Sequence, residues 1–191
     1  QAFLLTNSAW ISIALFGSLP FLLSNIDMSF IDAFFESTSG ITTTGATVIE
    51  NLEAKSHGIL LWRALLQWLG GVGIIVMALA VLPMLSIGGM QLFKTESYET
   101  PDKVVPKAAS FAAGISIVYI TLTVIWAFML WGAGMPIFDS IAHSMTTLAT
   151  GGYSTKSESL AAFNSSTIEI IIILGMLVGS LPFVHYLTLT K

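Results

Sequence analysis

The chain has 191 residues, 54% of them hydrophobic and only 9% charged, where a soluble domain carries about 25% charged residues; that deficit points to lipid as the solvent. The net charge of −4 offers no basic surface to nucleic acid, and the absence of Cys excludes disulfides, thiolate zinc sites and thiol catalysis.

Gln1 to Leu5 contains neither Met nor a basic leader, so no cleavable signal is read and the chain is expected to be a piece of a longer protein. The first apolar run, from Ala2 to Leu23, is close to the roughly 20 residues that a membrane span needs. Ser24-Asn25 ends it. A shorter segment follows, with Asp27 as its expected N-cap, Asp32 in its early turns and Phe30, Ile31, Phe34 and Phe35 as its apolar positions. At about a dozen residues it is too short to span. It leads into Ser39-Gly40-Ile41-Thr42-Thr43-Thr44-Gly45-Ala46-Thr47, a stretch of small, hydroxyl-bearing and glycine residues without charge. A short helix followed by extended polar backbone predicts a re-entrant loop, tolerated at membrane depth only where protein or a wet cavity adjoins it. Its carbonyl oxygens suit a narrow path for a cation.

Polar residues run from Glu50 to His57, and Ile59 to Ile87 is a long apolar segment. Within it Gly70, Gly71 and Gly73 are expected to serve close helix packing, and Pro83 to kink or end the helix. Arg63 lies near the start of this span. Of its two roles, bracing the loop or snorkelling to the interface, snorkelling is favoured. Gly88 to Lys107 is the most polar segment, with Lys94, Glu96, Glu99, Asp102, Lys103 and Lys107, and reads as a solvated connector.

The plan then recurs. Ala108 to Trp131 is a span, Gly132 to Pro136 a turn, Ile137 to Thr146 a short helix with Asp139 near its start, and Thr147 to Thr155 a second small-residue stretch. Lys156 to Ser166 is polar, and Thr167 to Leu189 is the last span, with Pro182 near its end. At an offset of 107, Asp32 matches Asp139, Ser37 matches Ser144, Thr43 matches Thr150 and Gly45 matches Gly152. An offset of 99 aligns Met77 with Met176 and Leu82-Pro83 with Leu181-Pro182. The expected architecture is therefore an all-α membrane protein of two span–pore-helix–span repeats, residues 1–87 and 108–191, joined by the connector 88–107. The five tryptophans fall mostly near span ends, as interfacial anchors do. Basic residues divide four to three between the connector and C-terminus on one side and the loops on the other, so charge places the connector in the cytoplasm by a narrow margin.

Two other readings compete. Asp139, His143 and Ser144 suggest a membrane-embedded hydrolase, but residues so close on one helix cannot all converge on a substrate, and no G-x-S-x-G elbow is present. A packed pore-helix histidine is the simpler account of His143, and His57 and His185 complete no metal-ligand spacing. A helical scaffold without a pore is the third reading.

Gly40 to Thr47, followed by Arg63-Ala64-Leu65-Leu66-Gln67-Trp68-Leu69-Gly70-Gly71-Val72-Gly73-Ile74, resembles the first pore repeat of Trk-type potassium transporters of the Trk/Ktr/HKT superfamily. Thr150-Gly151-Gly152-Tyr153-Ser154-Thr155 resembles the second repeat, and Gly88 to Glu96 fits the connector. The resemblance covers essentially the whole chain. It implies half of a pseudo-fourfold pore, with two further repeats elsewhere in the parent protein. Thr43, Thr44 and Gly45 would then face the ion from one side and Thr150, Gly151 and Gly152 from another, their carbonyls replacing the hydration shell of potassium. Glycine at Gly45, Gly151 and Gly152 would permit dihedrals closed to other residues. The resemblance further implies a multi-pass protein of the bacterial inner membrane, passive or ion-coupled uptake, a homodimer, a cytosolic nucleotide-binding regulatory subunit, and no cofactor beside the transported potassium. One essential glycine per repeat implies looser selectivity than a four-loop TVGYG filter. The pore-helix C-termini and an acidic outer face (Asp27, Asp32, Glu36, Glu50, Glu53, Asp139, Glu158 and Glu169) would favour cations.

Overall fold

A computed structural model of the chain describes residues 2–85, 104–183 and 186. Helices α1 (Ala2–Leu23), α2 (Phe30–Ile41) and α3 (His57–Leu85) form the first half; α4 (Val104–Gly132), α5 (Ile137–Leu148) and α6 (Ser166–Ser180) form the second. Among the described residues no strand forms. Two helical segments, Thr6–Leu23 and Ala112–Gly132, are long and apolar enough to cross a membrane.

Polarity is arranged inside out relative to a soluble protein. Ile11, Phe16 and Leu23 of α1, Ile117 and Phe128 of α4, and Ile170, Ile173 and Leu177 of α6 are exposed, while Ser18, Glu36, Ser37, Arg63, Gln67, Asp139, Ser140, His143 and Ser144 are buried. Ionisable groups at membrane depth face the interior of a helical assembly because each needs a partner there. α3 lies at the centre, packing against both short helices, α2 and α5.

The two short helices correspond closely. Each has twelve residues, and their first and last residues are both 107 apart. Each ends in the same hydrogen-bonded turn: Thr43 N–H donates to Gly40 O and Thr44 N–H to Ser39 O, as Thr150 N–H donates to Thr147 O and Gly151 N–H to Thr146 O. This is a Schellman motif, in which the left-handed position is usually glycine. Here it is threonine both times, Thr43 at φ 55° and Thr150 at φ 53°. The helices that follow are related by a different offset. α3 and α6 begin 109 residues apart, at His57 and Ser166. A Cβ on Gly70 would overlap the Ile41 carbonyl, and a Cβ on Gly179 would meet the Leu148 carbonyl, at 2.7 Å. The packing therefore aligns Gly70 with Gly179, and the sequence alignment at 99 is corrected to 109.

Several boundaries also differ from expectation. Ser29, not Asp27, caps α2; its hydroxyl accepts from Asp32 N–H and donates to Asp32 Oδ2 at 2.7 Å. Ser39 to Ile41 and Thr147 to Leu148 complete helices instead of starting extended loops, because the Schellman turn needs one more helical turn than the polar composition suggested. α3 continues through Pro83 to Leu85, whereas α6 stops at Ser180, before Pro182. Of the connector, residues 86–103 lie outside the described residues and 104–107 already belong to α4. Trp62, Trp68 and Trp126 join helices instead of marking interfaces: their indole N–H groups donate to Gly17 O, Thr123 Oγ1 and Ile171 O. Trp131 remains half exposed.

Candidate functional site

After its turn each short helix continues as a loop, and the two loops lie side by side. In each, two left-handed residues flank one that is not: Thr43 and Gly45 (φ 79°) around Thr44, and Thr150 and Gly152 (φ 82°) around Gly151. A strand with one sign of φ turns successive carbonyls to opposite sides; alternating the sign turns them to the same side. A β-branched residue at positive φ is strained, and strained backbone is retained where surrounding contacts over-determine it.

Those contacts are present. Ser39 Oγ donates to Ala46 O at 2.6 Å, and Tyr153 OH donates to Glu36 O at 2.9 Å and to Ala46 O at 3.3 Å. From α3, Gln67 grips the second loop twice: its Nε2 donates to Gly151 O at 2.9 Å and its Oε1 accepts from Tyr153 N–H at 3.0 Å. One helical turn earlier, Arg63 pairs with Glu36 at 2.7 Å, donates from Nη1 to Ser154 O at 2.9 Å and from Nη2 to Thr47 Oγ1 at 3.0 Å, and lies 4.1 Å from the centre of the Tyr153 ring. Glu36 in turn accepts from Thr47 Oγ1 and from Val48 N–H at 3.0 Å. One guanidinium and one carboxamide, four residues apart on α3, thus hold both loops. Arg63 is 1% exposed, so the snorkelling expectation is corrected: its charge is met inside by a carboxylate, a carbonyl and a ring.

Glu36 is likewise no part of an acidic mouth, being fully buried on Arg63. Asp139 is buried too, accepting from Thr155 Oγ1 at 2.6 Å with Lys156 Nζ 3.8 Å away. In the polar stretches that follow the two loops, Glu53 accepts from Ser157 N–H and Ser157 Oγ, both at 2.7 Å, linking the two halves. The Ser157 hydroxyl, then its N–H, hold this exposed carboxyl below the usual carboxylate range.

The structure brings the six candidate residues into two neighbouring loops. Among the described residues, the carbonyls of Thr43, Thr44, Gly45, Thr150 and Gly152 accept no hydrogen bond, whereas that of Gly151 is taken by Gln67. Gly151 is also outside the positive-φ region; a Cβ there would overlap the Gln67 carboxamide and displace it from its two bonds to the loop. Thr43, Ala149, Thr150, Gly71, Gly179 and Ser180 border a cavity of about 370 Å³ at the C-terminal ends of the short helices.

The hydrolase alternative does not assemble. His143 Nδ1 lies 2.8 Å from the Asp139 backbone carbonyl and Nε2 3.1 Å from Ser154 Oγ, while Ser144 Oγ donates to Ile141 O. Neither nitrogen of His143 meets a carboxylate or Ser144. Sequence reasoning missed Gln67, Glu36 and the brace formed by Tyr153; the available signal was Arg63 and Gln67 one turn apart in an otherwise apolar helix.

The TrkH family, described as cation transport proteins, matches residues 1–190. The chain is 43% identical over 189 residues to the Trk system potassium uptake protein TrkI of Halomonas elongata, covering 98% of this chain and 38% of that one. It is 44% identical over 182 residues to the Trk system potassium uptake protein TrkH of Salmonella typhimurium, covering 94% and 38%. The crystal structure of the potassium transporter TrkH from Vibrio parahaemolyticus superposes with a TM-score of 0.81 at 42% identity, over 93% of this chain and 35% of that one. The chain thus spans about 38% of the length of these relatives, all named for transport and none as an enzyme. From a match along nearly its whole length, the chain belongs to the TrkH family of cation transport proteins.

Proposed function

We propose that the chain forms two of the pore units through which a bacterial inner-membrane protein takes up potassium. The observation that carries this reading is the pair of strained turns, Thr43 to Gly45 and Thr150 to Gly152, with the same alternation of φ. Carbonyls of Thr43, Thr44, Gly45, Thr150 and Gly152 replace water around the dehydrated ion. Gly151 shares in the site through the second lone pair of a carbonyl already braced by Gln67. The C-termini of α2 and α5 border the cavity beneath, where each carries the equivalent of roughly half a negative charge. Residues 1–87 and 108–191 serve as the two units and the connector lies in the cytoplasm. Two further units complete the pore, and the assembly is a multi-pass homodimer with a cytosolic nucleotide-binding regulatory subunit. The names of the relatives and the uncharged lining of the loops support potassium over an anion.

The test is potassium-limited growth of a transport-deficient bacterium carrying the native gene product at its natural length. Replacing Gly45 or Gly152 by Val abolishes uptake or admits sodium, while His143→Ala retains substantial uptake. Normal, selective uptake by both glycine variants would sink the proposal, and indifference to all three substitutions favours the scaffold.

A further inference from the structure

A groove of about 520 Å³ is bordered by α4 and α5 of the second half and by Trp68 of α3 from the first. Its rim is apolar: Ile120, Val124, Phe128, Trp131, Ile137 and Ile141 are all exposed. Its back is made of buried side chains, Ser140, Ser144 and Met145 of the short helix α5 and Thr123 of α4. Every side-chain donor in this lining is engaged elsewhere. Trp68 Nε1 donates to Thr123 Oγ1, which donates to Tyr119 O; Ser140 Oγ donates to the Met135 and Pro136 carbonyls, and Ser144 Oγ to Ile141 O. A polar guest therefore finds no hydrogen to share, and the groove suits hydrocarbon. Its dimensions narrow the choice further. Ile120 and Trp131 stand eleven residues apart on α4, about 16 Å at roughly 1.5 Å per residue. One leaflet's share of the roughly 30 Å hydrocarbon core is about 15 Å. Trp131 lies at the end of the apolar span Ala112–Gly132, where indoles mark the membrane surface. Spread over that length, about 520 Å³ is a channel about 6 Å across, half the 10–12 Å that a helix with its side chains occupies.

We propose that this groove holds one acyl chain of a phospholipid from the outer leaflet, its glycerol end at Trp131 and its tail directed towards Ile120. The volume agrees: a cavity of about 150 Å³ takes up the six carbons of benzene, so about 520 Å³ has room for roughly twenty, enough for a complete tail. A spanning helix is too wide to enter, and a soluble polar ligand has no donor to meet. The chain packs against α5, whose C-terminal turn presents Thr150, and against Trp68, the neighbour of the Gln67 that clamps the second loop. Lipid thus fills the space behind the short helix and supports it from the membrane side. The proposal rests on the membrane setting and orientation given under the proposed function and is independent of which ion passes.

The test uses the native-length protein purified in detergent with a phosphatidylethanolamine that carries a photoactivatable diazirine midway along one acyl chain. Washing before illumination removes loosely held lipid. Mass-spectrometric mapping should place the label on Trp68 and Met145 at least fivefold above Ile125 and Met129, which are exposed on α4 outside the groove. Ala127→Trp, which fills the groove from the α4 side, should reduce that label at least fivefold, whereas Met129→Trp should not. If Ala127→Trp does not fold, Ile141→Trp on the α5 wall replaces it. Label spread evenly over α4, label indifferent to the filling variant, or a groove left unlabelled beneath a second copy of the chain or another span overturns the proposal. Uptake is read separately. Even labelling with uptake lost in Gly45→Val sinks the lipid seat alone; focused labelling with normal, selective uptake by both glycine variants sinks the potassium reading alone.

Discussion

Arg63→Met tests the brace most directly. The substitution keeps an unbranched chain of similar length and removes the guanidinium from a Glu36 side chain that is 0% exposed. Removing one partner of a buried ion pair costs about 3–5 kcal/mol. Glu36 keeps two donors, Thr47 Oγ1 and Val48 N–H, so the expected loss lies near the lower end, about 3 kcal/mol. At about 1.4 kcal/mol per factor of ten, this is roughly a hundredfold in the folded-to-unfolded ratio. Glu36→Gln leaves the guanidinium with Ser154 O, Thr47 Oγ1 and the Tyr153 ring, and should cost about 1.5–3 kcal/mol, as a lost hydrogen bond to a charged group does. The double variant buries no unpaired charge. It should therefore melt above Arg63→Met alone, although it carries one more substitution. The assay is thermal unfolding of the detergent-solubilised native-length protein, run as a double-mutant cycle. Additive losses, with the double variant melting lowest of the three, would refute the argument that these two charges are mutually compensated.

The two loop glycines should differ under the same substitution. Gly45→Ala meets both an unfavourable φ and the Gly151 carbonyl, whereas at Gly152 nothing lies within 4 Å of a new Cβ; Gly152→Ala should lose only the conformational penalty of about 1–2 kcal/mol and retain more uptake than Gly45→Ala. Gln67→Leu strands the Gly151 carbonyl and the Tyr153 N–H, at about 1–3 kcal/mol each, and should lower the potassium-to-sodium uptake ratio several-fold; an unchanged ratio would show that the clamp is not felt by the ion. The lowered Glu53 carboxyl stabilises the contact between halves above the ordinary glutamate range of about pH 4.3, and that contribution disappears as pH falls through the lowered value. Glu53→Gln should accordingly flatten the acid side of a melting-temperature profile and leave the neutral side parallel to wild type.

Much of the candidate site was readable in one dimension. The two loops stood out because small hydroxyl residues and glycine interrupt long apolar runs twice, each time after a helix too short to span; which residues within them face the ion came only from the resemblance to Trk-type transporters. Gly151 was expected to be glycine for its dihedrals; a Cβ there would instead meet the carboxamide of Gln67, a side chain 84 residues earlier in the chain. The two short helices and their turns matched at the offset read from the sequence, whereas the offset of 99 for the following helices lies ten residues from the one their packing suggests, since apolar spans offer many equivalent registers. The close approaches of Gly70 to Ile41 and of Gly179 to Leu148 favour one of them.

Composition and order alone pointed to a helical chain with two polar loops between long apolar runs, because so few charges among so many apolar residues leave little polar surface to cover a water-facing fold. Tertiary structure decided what holds those loops. Whether Arg63 snorkels or braces depends on a carboxylate 27 residues away, and whether Tyr153 is a loop residue or a lock depends on carbonyls over a hundred residues distant. A buried charge is tolerable only beside its partner, and pairing across the chain is settled by the fold, not by neighbours in sequence.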